Sequence, residues 1–77
     1  MPHCTLYTRR GCHLCEEALA TLWRHGLMPQ LVDIDADPEL RQRYNECVPV
    51  VEIDGKERFR GRVNEMLLAR LQAAQKS

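Results

Sequence analysis

His3-Cys4-Thr5-Leu6-Tyr7-Thr8-Arg9-Arg10-Gly11-Cys12-His13-Leu14-Cys15 reads as an extended run, a turn and the opening of a helix. Leu6 and Tyr7 stand among threonines, a composition that favours a strand. Arg9-Arg10-Gly11 supplies the turn. From Cys12 to about His25 the periodicity changes. Leu14, Cys15, Ala18, Leu19, Leu22 and Trp23 recur at helical spacing, with His13, Glu17 and Arg24 opposite. A Cys-x-x-Cys pair therefore sits at a strand-to-helix junction. Residues three apart share a helix face, so the two sulfurs can reach disulfide geometry. A helix start also offers unpaired N–H groups and a partial positive charge, which favour a thiolate. Thiolate is the reactive form, and such settings bring a cysteine pKa from about 8.5 into roughly 3.5–7.5.

Outward from this junction the chain alternates strands and helices. Gly26 is a C-cap for the first helix. A second strand spans about Gln30 to Asp35, around Leu31, Val32 and Ile34. Asp37-Pro38-Glu39 combines a cap, a first-turn proline and a first-turn acid. Leu40 and Tyr44 then stand four apart on a short helix. Val48 to Ile53 is a third strand, Asp54-Gly55 a two-residue hairpin turn, and Lys56 to Arg60 the returning strand. A last helix begins near Val63 or Asn64, with Val63, Leu67, Leu71 and Ala74 as its apolar stripe and Met66 and Leu68 beside it; the tail after about Ala73 lacks pattern. Trp23 and Tyr44 are expected in the core.

Size and charge narrow the function. A chain of 77 residues is one domain, 1–77, with an ordered core expected over about 3–74. Lys plus Arg equal Asp plus Glu at 11 each, which argues against nucleic acid as a main partner. No apolar run nears the ~18 residues of a membrane span. The Met-Pro-His-Cys start lacks a signal-peptide layout, so the expected location is cytoplasmic. There, four cysteines point to catalysis, metal or burial rather than a disulfide framework.

The order βαβ–α–ββα implies a right-handed crossover between two parallel strands, then an antiparallel hairpin. Taken with Tyr7-Thr8-Arg9-Arg10-Gly11-Cys12-His13-Leu14-Cys15, Asp33-Ile34-Asp35, Val48-Pro49-Val50-Val51 and Ile53-Asp54-Gly55, the chain resembles the glutaredoxin branch of the thioredoxin superfamily. The resemblance runs from about residue 3 to 74. It implies a thioredoxin fold of the α/β class, βαβαββα, with a four-stranded mixed sheet flanked by three helices. It implies Cys12 as the exposed nucleophile and Cys15 as the resolving thiol. Pro49 would be a cis-proline facing the disulfide, and the Val48 backbone would pair with a bound peptide thiol. The family's usual Cys-Pro-Tyr-Cys is here Cys-His-Leu-Cys. Its Gly-Gly and paired acids before the last helix are replaced by Phe59-Arg60-Gly61-Arg62-Val63-Asn64-Glu65. In these respects the pattern looks closer to the small bacterial glutaredoxin-like proteins.

The expected activity is thiol–disulfide exchange on the Cys12–Cys15 couple. His13, between the thiols, would stabilise a thiolate when protonated. Arg9 or Arg10 would do the same or receive an anion, while Glu16 and Glu17 oppose them. Lys56, Arg58, Arg60 and Arg62 alternate, which places them on one side of the last strand. They read as a charged edge against aggregation or as an anion rim, with Arg60 and Arg62 as substrate-binding candidates. Cys4 is expected in the core. Cys47, two before Pro49 where the family usually has threonine, is expected to be a spare or buried thiol. No bound cofactor and no metal are expected, and glutathione is a candidate co-substrate. The partners expected are a disulfide-containing protein or small-molecule thiol, with glutathione or a reductase as electron donor. A monomer is the default. The alternatives are a metal or iron–sulfur module using Cys12, Cys15 and Cys47, and a non-catalytic binding domain on the same fold.

Overall fold

Four strands form one sheet in the order β2-β1-β3-β4. The computed structural model describes residues 3–45 and 47–75. The outermost terminal residues of the expected single domain lie outside that range. β1 (Cys4–Thr8) runs parallel to β2 (Gln30–Asp33) and antiparallel to β3 (Val50–Ile53), which pairs antiparallel with β4 (Lys56–Arg60). Three helices complete the chain: α1 (His13–Arg24), α2 (Pro38–Tyr44) and α3 (Glu65–Gln75). The βαβαββα order and the mixed sheet agree with expectation.

Alternation along the central strands divides the core in two. Cys4, Leu6, Val51, Ile53 and Phe59 meet Ala18 and Leu22 of α1 and Leu68 of α3 on one face. Val50 meets Ile34 and Tyr44 on the other, with Tyr7, Leu40, Cys47 and Val48 packed around them. Helices therefore cover both faces, as apolar stripes require.

The helix ends follow the local chemistry. Asp37 caps α2, its side chain accepting from the Glu39 N–H at 2.9 Å, with Pro38 in the first turn. Asn64 caps α3, its Oδ1 accepting from the N–H groups of Met66 and Leu67 at 3.0 and 3.1 Å. The hairpin turn puts both Asp54 and Gly55 at positive φ, the arrangement for which Asp-Gly is favoured.

Several expectations change. β2 stops at Asp33, because a 3-10 turn over Ile34–Ala36 carries Ile34 into the core while the Asp33 side chain accepts from the Asp35 N–H. β3 begins at Val50, since Pro49 offers no N–H to the ladder. α3 continues to Gln75 rather than fading near Ala73. Its buried residue is Leu68, at 0% exposure, while Leu67 is 48% and Met66 70% exposed. Three consecutive apolar residues wrap around a helix, so periodicity alone does not fix the phase; packing of Leu68 against the sheet core does. Trp23 lies one residue past buried Leu22, turned away from the sheet, and is 58% exposed rather than core.

β4 differs most. Val51 pairs with Phe59 and Glu52 with Glu57, so Arg58 is an extra residue at a bulge. The expected one-sided row of Lys56, Arg58, Arg60 and Arg62 does not form. Arg58 joins Phe59 against α3, Arg60 turns to the opposite face beside Cys47, and Arg62 lies beyond the strand.

Candidate active site

The sequence places the two cysteines on either side of a helix start. The chain turns after Thr8, the Cys12 N–H donating to the Arg9 carbonyl at 3.2 Å, and α1 begins. Cys12 is the N-cap. Its Sγ accepts from the Cys15 N–H at 3.2 Å, so sulfur occupies the place of a capping oxygen. Cys15, on the inward face of α1, is 3% exposed, while Cys12 is half-buried. The two sulfurs are joined as a disulfide with Cα atoms 5.2 Å apart. One sulfur is thus presented to solvent at the positive end of a helix, and the other is held behind it.

Topology brings the proline loop to the same end. β3 is antiparallel to β1 with Tyr7 opposite Val50, so the residues preceding Val50 lie beside the end of β1. Val48-Pro49 is a cis bond, with Val48 half-buried and Pro49 fully buried. The Gly61 N–H donates to the Pro49 carbonyl at 2.7 Å, tying the exit of β4 to this loop.

The charged candidates separate. Arg9 donates from Nε and Nη2 to the Asp35 carboxylate at 3.0 and 2.8 Å, and from Nη1 and Nη2 to the Asn45 carbonyl and Oδ1 at 3.1 and 2.9 Å. It clamps the 3-10 turn to the end of α2, and it holds the Asp35 carboxyl below the usual range. Arg10 is exposed and lines an open groove with Cys12, Glu16 and Asp33. His13 points into solvent, its Nδ1 3.7 Å from Glu16. Arg60 donates to Glu57 at 2.7 Å and lies 3.7 Å from the Cys47 sulfur. Arg62 shares a separate hollow with Leu14, Glu17 and Val63. Arg60 and Arg62 therefore do not form one rim.

The remaining thiols differ in character. Burial pushes the Cys4 thiol up to about 11, and it is 3% exposed in the core. Cys47 is half-buried. Among the described residues no three His, Cys, Asp or Glu side chains converge as a metal site would need. One polar contact near the site was missed from sequence. The Tyr7 hydroxyl donates to Glu52 at 2.7 Å, and that bond, aided by burial, pushes the Tyr7 pKa up to about 12. The signal was a carboxylate inside the apolar run Val50-Val51-Glu52-Ile53, which calls for a donor on a neighbouring strand.

A four-stranded mixed sheet with this helix order and a disulfide at the N-terminus of α1 defines a thioredoxin-fold protein with a redox-type site. A model of the glutaredoxin-like domain family (DUF836) matches residues 3–72, and the chain belongs to that family. The X-ray structure of the Northeast Structural Genomics target protein XcR50 from X. campestris is 32% identical, with a TM-score of 0.78 over 91% of this chain and 96% of that one. The oxidised thioredoxin from Plasmodium falciparum, 14% identical, shares the fold, with a TM-score of 0.59 over 99% of this chain and 82% of that one. No curated protein sequence matches the chain significantly.

Proposed function

We propose that the chain is a dithiol oxidoreductase that exchanges electrons with disulfides through Cys12 and Cys15. The observation that carries this reading is the division of labour at α1: a half-buried capping sulfur in front and a buried partner sulfur behind. The Cys12 thiolate attacks a substrate disulfide, forms a mixed disulfide and expels one thiolate. Cys15, deprotonated, then attacks the Cys12 sulfur. The second substrate thiolate leaves, and the Cys12–Cys15 disulfide holds the oxidising equivalent. The N–H of Cys15, aimed at the Cys12 sulfur, stabilises negative charge there. The loop at Val48-Pro49 offers backbone to the substrate thiol. Substrates of this reading are a disulfide-bearing protein or small molecule in the cytoplasm, and the electron donor is glutathione or a reductase acting on the monomer.

The test is a redox titration against glutathione buffers with thiols counted by mass. A reversible two-electron couple between roughly −120 and −270 mV, lost in Cys12→Ser and Cys15→Ser, is expected. Cys15→Ser should also accumulate the mixed disulfide on Cys12. A wild-type protein with no reversible couple between these sulfurs would refute the reading.

A further inference from the structure

The geometry points to the groove between β4 and α3 as a docking site for an acidic segment with apolar side chains on the disulfide-bearing partner, an inference that rests on the redox reading for the partner's identity. The groove is open and about 260 Å³, lined by Arg58, Phe59, Leu67, Arg70 and Leu71. Phe59 is 7% exposed and forms the floor, while Leu67 stays 48% exposed although it stands beside fully buried Leu68. Arg58 and Arg70 form the two polar walls. Neither has an ion-pair partner among the described residues.

Charge selects the occupant. The nearby acids are turned away from the groove: Glu57 is bound by Arg60, and Glu65 by Arg24 and His25. No Asp or Glu lines the groove. The chain as a whole is neutral, yet residues 56–70 hold five basic side chains (Lys56, Arg58, Arg60, Arg62, Arg70) against two acids (Glu57, Glu65). An apolar floor between two unpaired guanidinium groups suits leucine-like side chains flanked by carboxylates. A basic segment would meet like charge on both walls.

The test uses two synthetic disulfide-containing peptides that alternate leucine with glutamate or, in the counterpart, with lysine. Binding to the oxidised protein is read by fluorescence anisotropy, and reduction by kcat/KM, beside turnover of a small-molecule disulfide. Wild-type protein should favour the glutamate peptide by about 10-fold or more in both readouts, and Arg58→Glu with Arg70→Glu should reverse that preference while leaving small-molecule turnover unchanged. Leu67→Glu, at an exposed position, should weaken the glutamate peptide without loss of fold by circular dichroism. Equal affinity for both peptides, a preference that survives the charge reversal, or no amide shifts at residues 58–59 and 67–71 on binding would overturn the docking site. So would self-association abolished by the charge reversal, since a second copy would then be the occupant. Loss of small-molecule turnover in the wild type would sink the redox reading alone, because the anisotropy comparison still decides the groove.

Discussion

A guanidinium that already donates four hydrogen bonds has little left for a neighbouring thiolate, and Arg9 is in that position. Arg9→Ala should loosen residues 33–45, read as faster amide exchange there, and leave the alkylation rate of reduced Cys12 at neutral pH unchanged. A drop in that rate would return Arg9 to the chemistry. Cys4 gives the opposite case, a nucleophile type in an inert place. Its folded pKa of about 11 lies above the ordinary 9.0, so the folded state holds the proton more tightly. The resulting stability is complete below pH 9 and drains as pH rises through about 11. Reduced protein treated with iodoacetamide near neutrality should label Cys12 and spare Cys4 until it is unfolded. Residue identity alone distinguished Cys12 and Cys15 by their spacing. It did not reveal the Arg9 clamp or the Tyr7–Glu52 bond, because both join residues 26 or more apart in sequence and depend on register.

Elements were legible wherever the local code was strong. The Asp37-Pro38-Glu39 start bonds its own backbone and the Asp54-Gly55 turn depends on its own φ angles, so sequence neighbours suffice to read them. The phase of α3 was not legible, since Met66, Leu67 and Leu68 offer the sheet three equivalent candidates. Packing resolves it, and mutation should report the result. Leu68→Ala is expected to cost about 2–5 kcal/mol in urea denaturation, the range for a fully buried leucine. Leu67→Ala should stay within about 0.5 kcal/mol. Similar costs at the two positions would contradict the phase described. Asn64→Ala should cost about 1 kcal/mol through loss of the cap. The bulge in β4 escaped for a related reason: alternation counts residues along one strand and cannot see which of them the partner strand skips.

At the scale of the molecule, two carboxylates, Asp35 and Glu65, tie distant segments together, and a third, Glu57, pairs within β4. Asp35, Glu57 and Glu65 are each held below the ordinary range, chiefly by Arg9, Arg60 and Arg24 respectively. For each, the unfolded chain binds a proton more readily than the folded one. Stability should therefore be flat above the ordinary values of 3.8 and 4.5 and fall as pH drops through the lower folded values. These groups are exposed, so the slope should be shallow and largely erased by about 1 M salt, where the Debye length is ~3 Å. A slope insensitive to salt would assign acid sensitivity to other groups. The topology itself was readable, because a strand-helix-strand unit followed by a hairpin leaves few ways to complete a sheet. That same topology gathers the end of β1, the start of β3 and the start of α1 at one end of the sheet, which is how residues scattered over the sequence become one site.

The bulge at Arg58 has a consequence for how this hairpin can change. Lys56 and Glu57 sit opposite Ile53 and Glu52, and Phe59 and Arg60 opposite Val51 and Val50. Removing Arg58 would close the ladder into an unbroken alternation, with Phe59 still facing the core and Arg60 still facing away. Insertions and deletions in a strand usually invert every side chain beyond them. Here one position is exempt: the sheet is already written so that it reads correctly with or without that residue. The hairpin can therefore gain, lose or replace a surface group at this point as a single-step edit, leaving the grammar of the core untouched.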